Sequence, residues 1–529
     1  SGDQDASLDG GTHGELSFQD VSGDKPKDVL PRDSYVGDAL LLADMNPTKK
    51  DGGLVGDVGA ISDSKPGPTP FCLTCLKIKI GRAYRVNGPS PHIPDSPFFA
   101  VNTGNRIRAY TGGGGGTSLF EGPSMTTLVL QPKAVMTAGA AGQFDICGAW
   151  LHAVDPLTSP ITGWYHAEEK CNYAIGQTHK SVAYATSTDG GKTFVKTGYP
   201  NNRVLTGTTA PTVGKGTGVG DFSVIRRGQY YWMYFYDFKY WRTAVARSLI
   251  ASGGKPGTWT KWHQGSFSSP GLAGESTPLP VNGTEQFYGA SATLFETGDQ
   301  VAIITTDHYF GGLRLLFSSD GIHFKDLDEP LVPFKDGNWI RPADTELIAY
   351  PSIVPPNAGQ GWKGDAYLFY SYIPPKKGFT DHYLVRRSMK VEQASSPQTS
   401  HVSLALNRYV DAAKTDHWIT TAMVQDSYKD EGVLGYVRTK AFKGSTPLIG
   451  CYIPLWDDHM ASVGTQCGPG NELLRTLGWI WSASTSPIPP GTKPLYRCFS
   501  QATLDHFLST DPACEGGGKM EWMLGYIDL

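Results

Sequence analysis

Three features of this sequence predict an all-β protein built in two parts. The chain is rich in turn formers, with 64 Gly and 37 Pro among 529 residues, and no segment has a long helical period. Strand-like segments bounded by Asp-Gly and Gly-Gly turns recur through the middle of the chain. The last quarter repeats a shorter unit three times. The predicted order is a lead-in over residues 1–70, a larger β region over 71–400 and a repeat module over 401–529.

The lead-in begins SGDQDASLDGGTHGELSF, which is polar and rich in Gly and Asp. Such a composition is typical of a linker and not of a packed domain. We interpret it as a segment exposed after removal of a signal or lipoprotein segment. The expected location is therefore outside the cell, either secreted or anchored at the surface.

The middle region repeats a four-strand pattern. A first strand opens with a small or acidic residue, a second is aromatic and apolar, and a third ends in Ser before an Asp-Gly turn, as in YATSTDGGKTF and LFSSDGIHF. Such turns between alternating strands indicate antiparallel hairpins. A four-stranded antiparallel sheet that recurs every roughly 60 to 70 residues is a propeller blade. Four blades can be read directly, and a fifth can be assembled from residues 95–130 with closure from the region near 80 or 390, so a five-bladed β-propeller is predicted.

The C-terminal repeat has a period of roughly 43 residues. Each copy carries an Asp-His pair followed by a Gly-aromatic pair; the Asp-His pairs are Asp416/His417, Asp458/His459 and Asp505/His506. Three β-rich units of this size can share one core about a pseudo-threefold axis, so a β-trefoil-like module is predicted. Because the His recurs in all three copies, a structural hydrogen bond made three times is favoured over metal ligation.

Two resemblances follow from these motifs. The third copy, PLYRCFSQATLDHFLST…LGY, resembles the repeat of a C-terminal module found in many secreted bacterial hydrolases, over residues 402–529. That resemblance implies an accessory role, here in binding glycan or a cell surface. The middle region resembles the five-bladed β-propeller glycoside hydrolases, the arabinanase, β-xylosidase and invertase-like enzymes, over residues 80–400. It implies hydrolysis of an arabinan-, xylan-, galactan- or fructan-like polysaccharide.

The eight cysteines are expected to form four disulfides. Two pairs have the same spacing and flank the Asp-His motif of the second and third copies, whereas the first copy has no cysteine. Cysteines gained or lost in pairs indicate bonded partners. The expected bonds are Cys451–Cys467, Cys498–Cys514, Cys72–Cys75 and Cys147–Cys171. The FCLTC segment also fits a redox motif or half a zinc site, but the chain has no second CxxC.

The resemblance to propeller hydrolases implies catalytic acids where first strands open on a central funnel. Asp95, Asp145 and Asp221 stand at three such openings. Cleaving a glycosidic bond takes one carboxylic acid and one carboxylate, and a third can raise the pKa of the acid. The prediction is Asp95 as base or nucleophile, Asp145 as orienting carboxylate, and Glu168 or Asp221 as general acid. The alternative for each Asp is the capping of a turn.

Other residues complete the predicted site. Those expected to contact substrate are Trp164, His166, Trp241, Asp307, His308 and Glu346. This chemistry requires no cofactor, although a calcium or sodium ion in the propeller channel is compatible with an oxygen-rich lining. The balance of 46 basic against 50 acidic residues argues against nucleic acid as a partner. No apolar run is long enough to span a membrane, and a monomer is expected.

Two other classes of function fit the same pattern. A non-catalytic lectin or adhesin would use the funnel only to bind. A sialidase-like enzyme is suggested by STDGGKTF, which resembles the sialidase Asp-box, and a lyase would take a base such as Tyr165, His166 or His308. The three acids at consecutive openings favour the hydrolase over both.

Overall fold

The computed structural model describes residues 71–86, 95–282, 288–296, 299–307, 312–334, 341–378, 381–394, 401–411, 413, 415–424 and 427–529. Strands account for 56% and helices for 3% of these described residues, which confirms the all-β prediction. The described helices are short 3₁₀ turns: Leu73–Cys75, Tyr173–Ile175, Ile250–Ser252 and Cys514–Gly516. None of the helices within the described ranges is long and apolar enough to cross a membrane.

Five groups of mainly antiparallel strands, called sheets here, follow one another along the chain, preceded by β1 (Leu76–Ile80) and β2 (Tyr84–Arg85). A parallel pairing joins the second group to the third. The first contains β3 (Phe99–Asn102), β4 (Ile107–Gly113), β5 (Gly116–Gly122) and β6 (Val129–Leu130). The second contains β7 (Gly148–Asp155), β8 (Ile161–Asn172), β9 (Gln177–Ser187) and β10 (Arg203–Thr206). The third contains β11 (Gly216–Arg227), β12 (Tyr230–Asp237), β13 (Arg242–Leu249), β14 (Thr260–His263) and β15 (Ser266–Pro270).

The fourth sheet contains β16 (Val281–Asn282), β17 (Tyr288–Phe295), β18 (Gln300–Asp307), β19 (Gly312–Ser318), β20 (Phe324–Asp326) and β21 (Val332–Pro333). The remaining strands of this region are β22 (Leu347–Val354), β23 (Gly361–Trp362), β24 (Asp365–Ile373) and β25 (Tyr383–Gln393). Strands β22, β24 and β25 form the fifth sheet, and β23 pairs in parallel with β17 of the fourth. The early strand β1 pairs with β25 and adds a strand to the fifth sheet.

The first strands of the five sheets, β3, β7, β11, β17 and β22, contact one another in that order, and β22 contacts β3. A separate apolar cluster fills the space between each neighbouring pair of sheets, including the pair formed by the fifth and the first. Side-chain packing therefore joins the five sheets in a ring, and among the described strands no hydrogen-bonded pairing joins the fifth sheet to the first. Residues of all five first strands line a central channel.

Irregular pairing changes the direction of some side chains on these first strands. The register shifts in β7 around His152, in β11 around Asp221 and in β22 around Tyr350. Asp221 and Tyr350 adopt left-handed backbone angles, with φ of 43° and 50°. Such bulges bend a strand and turn one side chain away from the regular alternation. Asp221 and Tyr350 thus provide polar groups at the ring that a regular strand would direct elsewhere.

The C-terminal module contains three copies of a three-strand unit. Its strands are β26 (His401–Asp411), β27 (Asp416–Thr420), β28 (Lys429–Arg438), β29 (Ser445–Ile453), β30 (Asp458–Val463), β31 (Glu472–Ser482), β32 (Thr492–Ser500), β33 (Asp505–Ser509) and β34 (Lys519–Asp528). In each copy the first strand pairs with both others. The third strands β28, β31 and β34 pair with one another around the threefold arrangement.

The Asp-His pairs join the three copies in a closed ring. Each Asp accepts two hydrogen bonds, from the backbone N–H and from Nδ1 of the His of another copy. The pairs are His417 with Asp505, His506 with Asp458 and His459 with Asp416, at Nδ1–Oδ2 distances of 2.6, 2.6 and 2.7 Å. The predicted structural hydrogen bond is confirmed, and each of the three bonds joins two different copies of the unit.

All four predicted disulfides are confirmed: Cys72–Cys75, Cys147–Cys171, Cys451–Cys467 and Cys498–Cys514. The last two close equivalent loops in copies two and three. Disulfides of this density are typical of proteins that fold in an oxidising compartment.

The module is continuous with the ring of sheets. Strand β1 pairs with β25 on one side and in parallel with β26 on the other. One apolar cluster contains side chains of the fourth sheet, the fifth sheet and all three copies of the module. The buried guanidinium of Arg387 on β25 donates to the carbonyl oxygens of Gly81 and Thr421. The module therefore shares a core with the ring.

Candidate functional site

Three carboxyl groups meet at the opening of the ring. Asp95 precedes β3, Asp221 lies on the bulge of β11, and Glu168 lies near the end of β8. Burial and then the charges of Glu168 and Asp221 raise the pKa of Asp95. Burial and then the charges of all three carboxyl groups raise the pKa of Tyr350. Asp95 and Asp221 are reachable by solvent, whereas Glu168 is buried. The group has the chemistry expected of an acid-base site.

Glu168 is held as an anion. Burial disfavours the charged carboxylate, but the cation of Lys180 and then the imidazole of His166 outweigh it, so the pKa of Glu168 falls far below its ordinary range. Lys180 Nζ lies 3.4 Å from Glu168 Oε1, and the hydroxyl of Tyr173 donates to Oε2 at 2.6 Å. Lys180 lies directly opposite Glu168 in the β8–β9 pairing, which brings the two charges together.

His166 orients two of the carboxyl groups. The backbone N–H of Asp221 donates to His166 Nδ1 at 2.9 Å, so Nδ1 carries no proton. The ring proton therefore resides on Nε2 and is donated to Glu168 Oε1 at 3.1 Å. This tautomer is assigned from the hydrogen bonds. Because Asp221 Oδ1 lies 3.6 Å from Nδ1, Glu168 and Asp221 stand at opposite edges of one imidazole.

Asp95 has the opposite electrostatic environment. The residue is exposed at the opening, but its carboxyl group lies among protein atoms that reduce its hydration. That enclosure and the negative charges of Glu168 and Asp221 raise the pKa of Asp95 to about 7. At pH 7 about half of the molecules thus contain a protonated Asp95, and it lies beside an ionised Glu168. Two carboxyl groups whose surroundings drive their pKa values apart can divide the roles of acid and base.

Asp145 was predicted to orient the acid, and the structure places it elsewhere. Its carboxylate is fully buried and lies 2.5 Å from Lys196 Nζ, with a hydrogen bond from Tyr199 at 2.9 Å. Its charge is paired with Lys196, and it is not among the groups that shift the pKa of Asp95. Asp145, like Asp95, precedes a first strand, but its side chain packs against residues of the second sheet.

Two residues predicted to bind substrate are structural. Trp164 is 1% exposed, packs edge-to-face on Tyr231 and donates from its indole N–H to the carbonyl of Gly254. Glu346 is also buried, and its Oε1 lies 3.0 Å from Nη2 of Arg475 in the second copy of the module. It therefore ties the module to the fifth sheet.

Three further residues predicted to contact substrate are described by the structure to different extents. Trp241 is 45% exposed and packs on Phe238, whose ring lies 4.3 Å from Lys180 Nζ, so it stays a candidate for the rim of the opening. Asp307 ends strand β18, and the position of its side chain is not described. His308 lies outside the described residues, and both remain predictions.

Three residues of the site were missed in the sequence. Tyr350 enters through the bulge of β22, where the segment IAYPSIV shows no acid. Lys180 could have been found from the register of the β8–β9 hairpin, which sets it opposite Glu168. Tyr173 stands in the turn between those two strands, and nothing in its local sequence distinguishes it.

The predicted calcium or sodium ion would need a set of ligand side chains near the channel. His152, His166 and Asp221 offer ligand atoms within 4.8 Å of one another. Nδ1 of His152 and Nδ1 of His166 each accept a backbone N–H, from Phe222 and Asp221. Calcium prefers six to eight oxygen ligands. A set with one carboxylate and two imidazoles already engaged in hydrogen bonds does not fit it, and no chemical step is assigned to a metal.

No family model and no curated protein sequence matches this chain. Several solved structures do, among them an exo-β-1,3-galactanase from Phanerochaete chrysosporium with 9% identity, a TM-score of 0.39, and 84% of this chain and 92% of that chain covered. A family 117 glycoside hydrolase from Zobellia galactanivorans has 10% identity and a TM-score of 0.39, over 61% of this chain and 92% of its own. An α-L-arabinofuranosidase from Podospora anserina has 11% identity and a TM-score of 0.36, over 60% and 98%.

Replacing Asp145 with asparagine is expected to lower the free energy of unfolding by about 2 kcal/mol, because a charge-assisted hydrogen bond is lost from a buried pair. The activity per folded molecule should stay unchanged. Urea denaturation measures the first quantity and an assay normalised to folded protein the second. Asp189→Asn, at an exposed turn, is the control and should cost less than Asp145→Asn.

Replacing Lys180 with methionine is expected to lower kcat about tenfold, because the cation that keeps Glu168 ionised is removed. The pKa of Glu168 should rise, so the acidic limb of the pH profile of kcat/KM should move to higher pH. The exposed Lys192→Met is the matched control. An unchanged acidic limb in Lys180→Met would exclude this role for the lysine.

Proposed function

We propose that this protein is a secreted glycoside hydrolase that cleaves an arabinan-, xylan-, galactan- or fructan-like polysaccharide. In this proposal the five sheets are the blades of a β-propeller over residues 71–400, and residues 401–529 form a β-trefoil-like accessory module that binds glycan or a cell surface. The four disulfides support an extracellular location. The observation that carries the proposal is the grouping of Asp95, Asp221 and Glu168 at the opening of the ring, with Glu168 and Asp221 on opposite edges of His166 and the pKa values of Asp95 and Glu168 shifted in opposite directions.

The proposed roles differ from those expected on sequence alone. Asp95, with its pKa raised to about 7, donates a proton to the leaving oxygen of the glycosidic bond. Asp221, solvent-accessible at the same opening, serves as base or nucleophile. Glu168 is fixed by Lys180, Tyr173 and His166, so it acts by charge: it keeps the proton on Asp95 and, through His166, orients Asp221.

The alternatives receive less support. A lectin would bind without chemistry, and it gives no reason for two carboxyl groups with opposite pKa shifts in one site. The sialidase-like motif at Asp189 is a turn: this carboxylate accepts the backbone N–H groups of Lys192 and Thr193. Asp320 does the same for Ile322 and His323 in the fourth sheet.

The test is release of reducing sugar from a panel of arabinan, xylan, galactan and fructan, with Asp95→Asn as control. Release that disappears in the variant supports the hydrolase and identifies the substrate class. If no glycan is cleaved but the intact protein is retained on one of them, the hydrolase proposal fails and the lectin takes its place.

A further inference from the structure

The three copies of the module present three versions of one arrangement. In copies one and three an arginine on the first strand, a histidine of the Asp-His motif and a glutamate on the third strand lie together. Arg408 Nε binds Glu431 at 2.8 Å, and Arg497 Nε binds Glu521 at 2.5 Å. The second copy has Gly450 in place of the arginine.

In copy one the outer edge of the guanidinium is filled by a carboxylate. Arg408 Nη1 and Nη2 bind the two oxygens of Glu515 at 2.8 and 2.9 Å. Nη1 also donates to the carbonyl of Leu508. The hydrogen bonds from Arg408 lower the pKa of Glu515 to about 2, so this carboxylate is an anion at any physiological pH. A fork of this geometry is the strongest pairing an arginine makes with a carboxylate.

In copy three the same edge lacks its carboxylate. Glu515 directly follows Cys514 of the third-copy disulfide, and the residue that directly follows the equivalent Cys467 is Gly468. Arg497 Nη1 contacts only the sulfur of Met460 at 3.4 Å, and Nη2 has no partner among the described residues. The Arg497 side chain is nevertheless more than nine-tenths buried. Two donors of a buried guanidinium are thus directed to a position that a carboxylate occupies in the related copy.

Exposed aromatic rings lie near Arg497. The Trp522 ring centroid lies 3.7 Å from the Arg497 guanidinium, and Trp522 is 45% exposed. Trp456 of the second copy is 42% exposed and packs beside Phe499 and His506. Exposed indole rings beside a few polar donors suit a ligand that has one apolar face and one charged group.

We propose that the junction of copies two and three binds an acidic sugar, whose carboxylate pairs with Arg497 while its ring packs against Trp456 or Trp522. This site deepens the glycan-binding role proposed for the module and gives it a substrate class, a polysaccharide that contains uronic acid. A single site per chain follows, because Glu515 fills the edge in copy one and copy two has no arginine there.

The test is calorimetric binding of trigalacturonic acid and of its neutral methyl ester to the full chain with Asp95→Asn, in which turnover does not interfere. The acid should bind, and the ester should bind more than about tenfold more weakly, because a hydrogen bond to a charged group is worth about 1.5–3 kcal/mol. Gly468→Glu should restore the copy-one arrangement, abolish binding of the acid and raise the melting temperature. Glu515 has a φ of 55° in the equivalent place, so the left-handed backbone of Gly468 can accommodate the change.

Gly468→Ala is the control for backbone strain and should retain binding. Equal binding of acid and ester, unchanged binding in Gly468→Glu, or no binding of the acid would each overturn the inference. Equal affinity for a hexaglutamate peptide would overturn the assignment to sugars. None of these outcomes bears on cleavage, which the release of reducing sugar by the unaltered chain decides separately.

Discussion

Asp95→Asn is expected to lower kcat/KM by about 10²–10⁴-fold, the range that a positioned general acid contributes. Asparagine keeps the size of the side chain but has no proton to give to the leaving oxygen. The variant should bind the same glycan with similar affinity, because the substitution removes the proton donated in the transition state and leaves the contacts with bound substrate in place. Initial rates and equilibrium binding on the glycan identified by the panel measure the two quantities.

The pH dependence gives the same residue a second signature. The proton donor is active only while protonated, so kcat/KM should fall as pH rises through about 7, the pKa to which Asp95 is raised. The raised pKa of Asp95 also makes the free energy of unfolding depend on pH. An acid whose pKa is higher in the folded protein contributes stability at low pH and loses it as pH rises from its ordinary value of about 3.9 to about 7. At pH 8, Asp95→Asn should therefore be at least as stable as the parent.

Asp320→Asn is the matched control for this prediction. Its carboxylate caps an exposed turn of the fourth sheet, away from Asp95, and its loss should leave kcat/KM and the basic limb unchanged. A variant at Asp95 that keeps its activity, or a basic limb that does not depend on Asp95, would exclude it as the acid.

The features of the fold that the sequence predicted are those carried by local patterns. Turn composition predicts an all-β chain, and the paired gain of Cys451 with Cys467 predicts a disulfide. The recurrence of Asp-His pairs predicts a structural bond made three times. It did not predict that the bond runs between copies, because that depends on how the three units are placed around the axis.

The candidate site was harder to predict because it depends on the direction of individual side chains. Asp95 and Asp145 both precede a first strand, yet one faces the opening and the other is buried against Lys196. Sequence spacing does not report which way a loop residue turns. The assignment of roles also depended on Lys180, which lies across a hairpin from Glu168 and reverses the expected pKa.

The division of the chain at residue 400 stays a prediction, and one pairing across it is not visible in the sequence. Composition and repeat period suggest an independent module, but β1 pairs with strands on both sides of the boundary. A strand near residue 80 that pairs beyond residue 400 is a contact between distant parts of the chain, and no local pattern signals it. Across the boundary the ring and the module share one apolar cluster.

The ring of Asp-His pairs in the module is expected to carry a large share of its stability. Oxygens of Asp416, Asp458 and Asp505 lie within 4.8 Å of one another, and all three carboxyl groups are buried. Like charges this close repel one another, and each is offset by a histidine at 2.6–2.7 Å. Removing a histidine therefore costs a hydrogen bond and leaves the repulsion without compensation.

His506→Leu is expected to lower the free energy of unfolding by about 1–3 kcal/mol, because the buried carboxyl group of Asp458 loses a hydrogen-bond donor. His506→Asn is the matched variant, because its amide can replace the Nδ1 donor to Asp458, and it should cost less than half as much. Urea denaturation at pH 6 measures both. Equal losses in the two variants would show that ring packing on Phe499, and not the bond to Asp458, is what His506 supplies.

The pH dependence of unfolding distinguishes the charge from the hydrogen bond. Burial alone would lower the pKa of His417, but its bond to Asp505 and the charge of Glu431 outweigh burial and the opposing charge of Arg408, so the pKa is raised. A histidine with a raised pKa in the folded state contributes stability below about pH 6.5, and this contribution is lost as pH rises through the higher folded value. The stability of the parent should thus decline above neutral pH, and His417→Asn should flatten that decline. A decline of equal size in His417→Asn would mean that the imidazole is neutral in the folded protein and that the ring is held by hydrogen bonds without added charge.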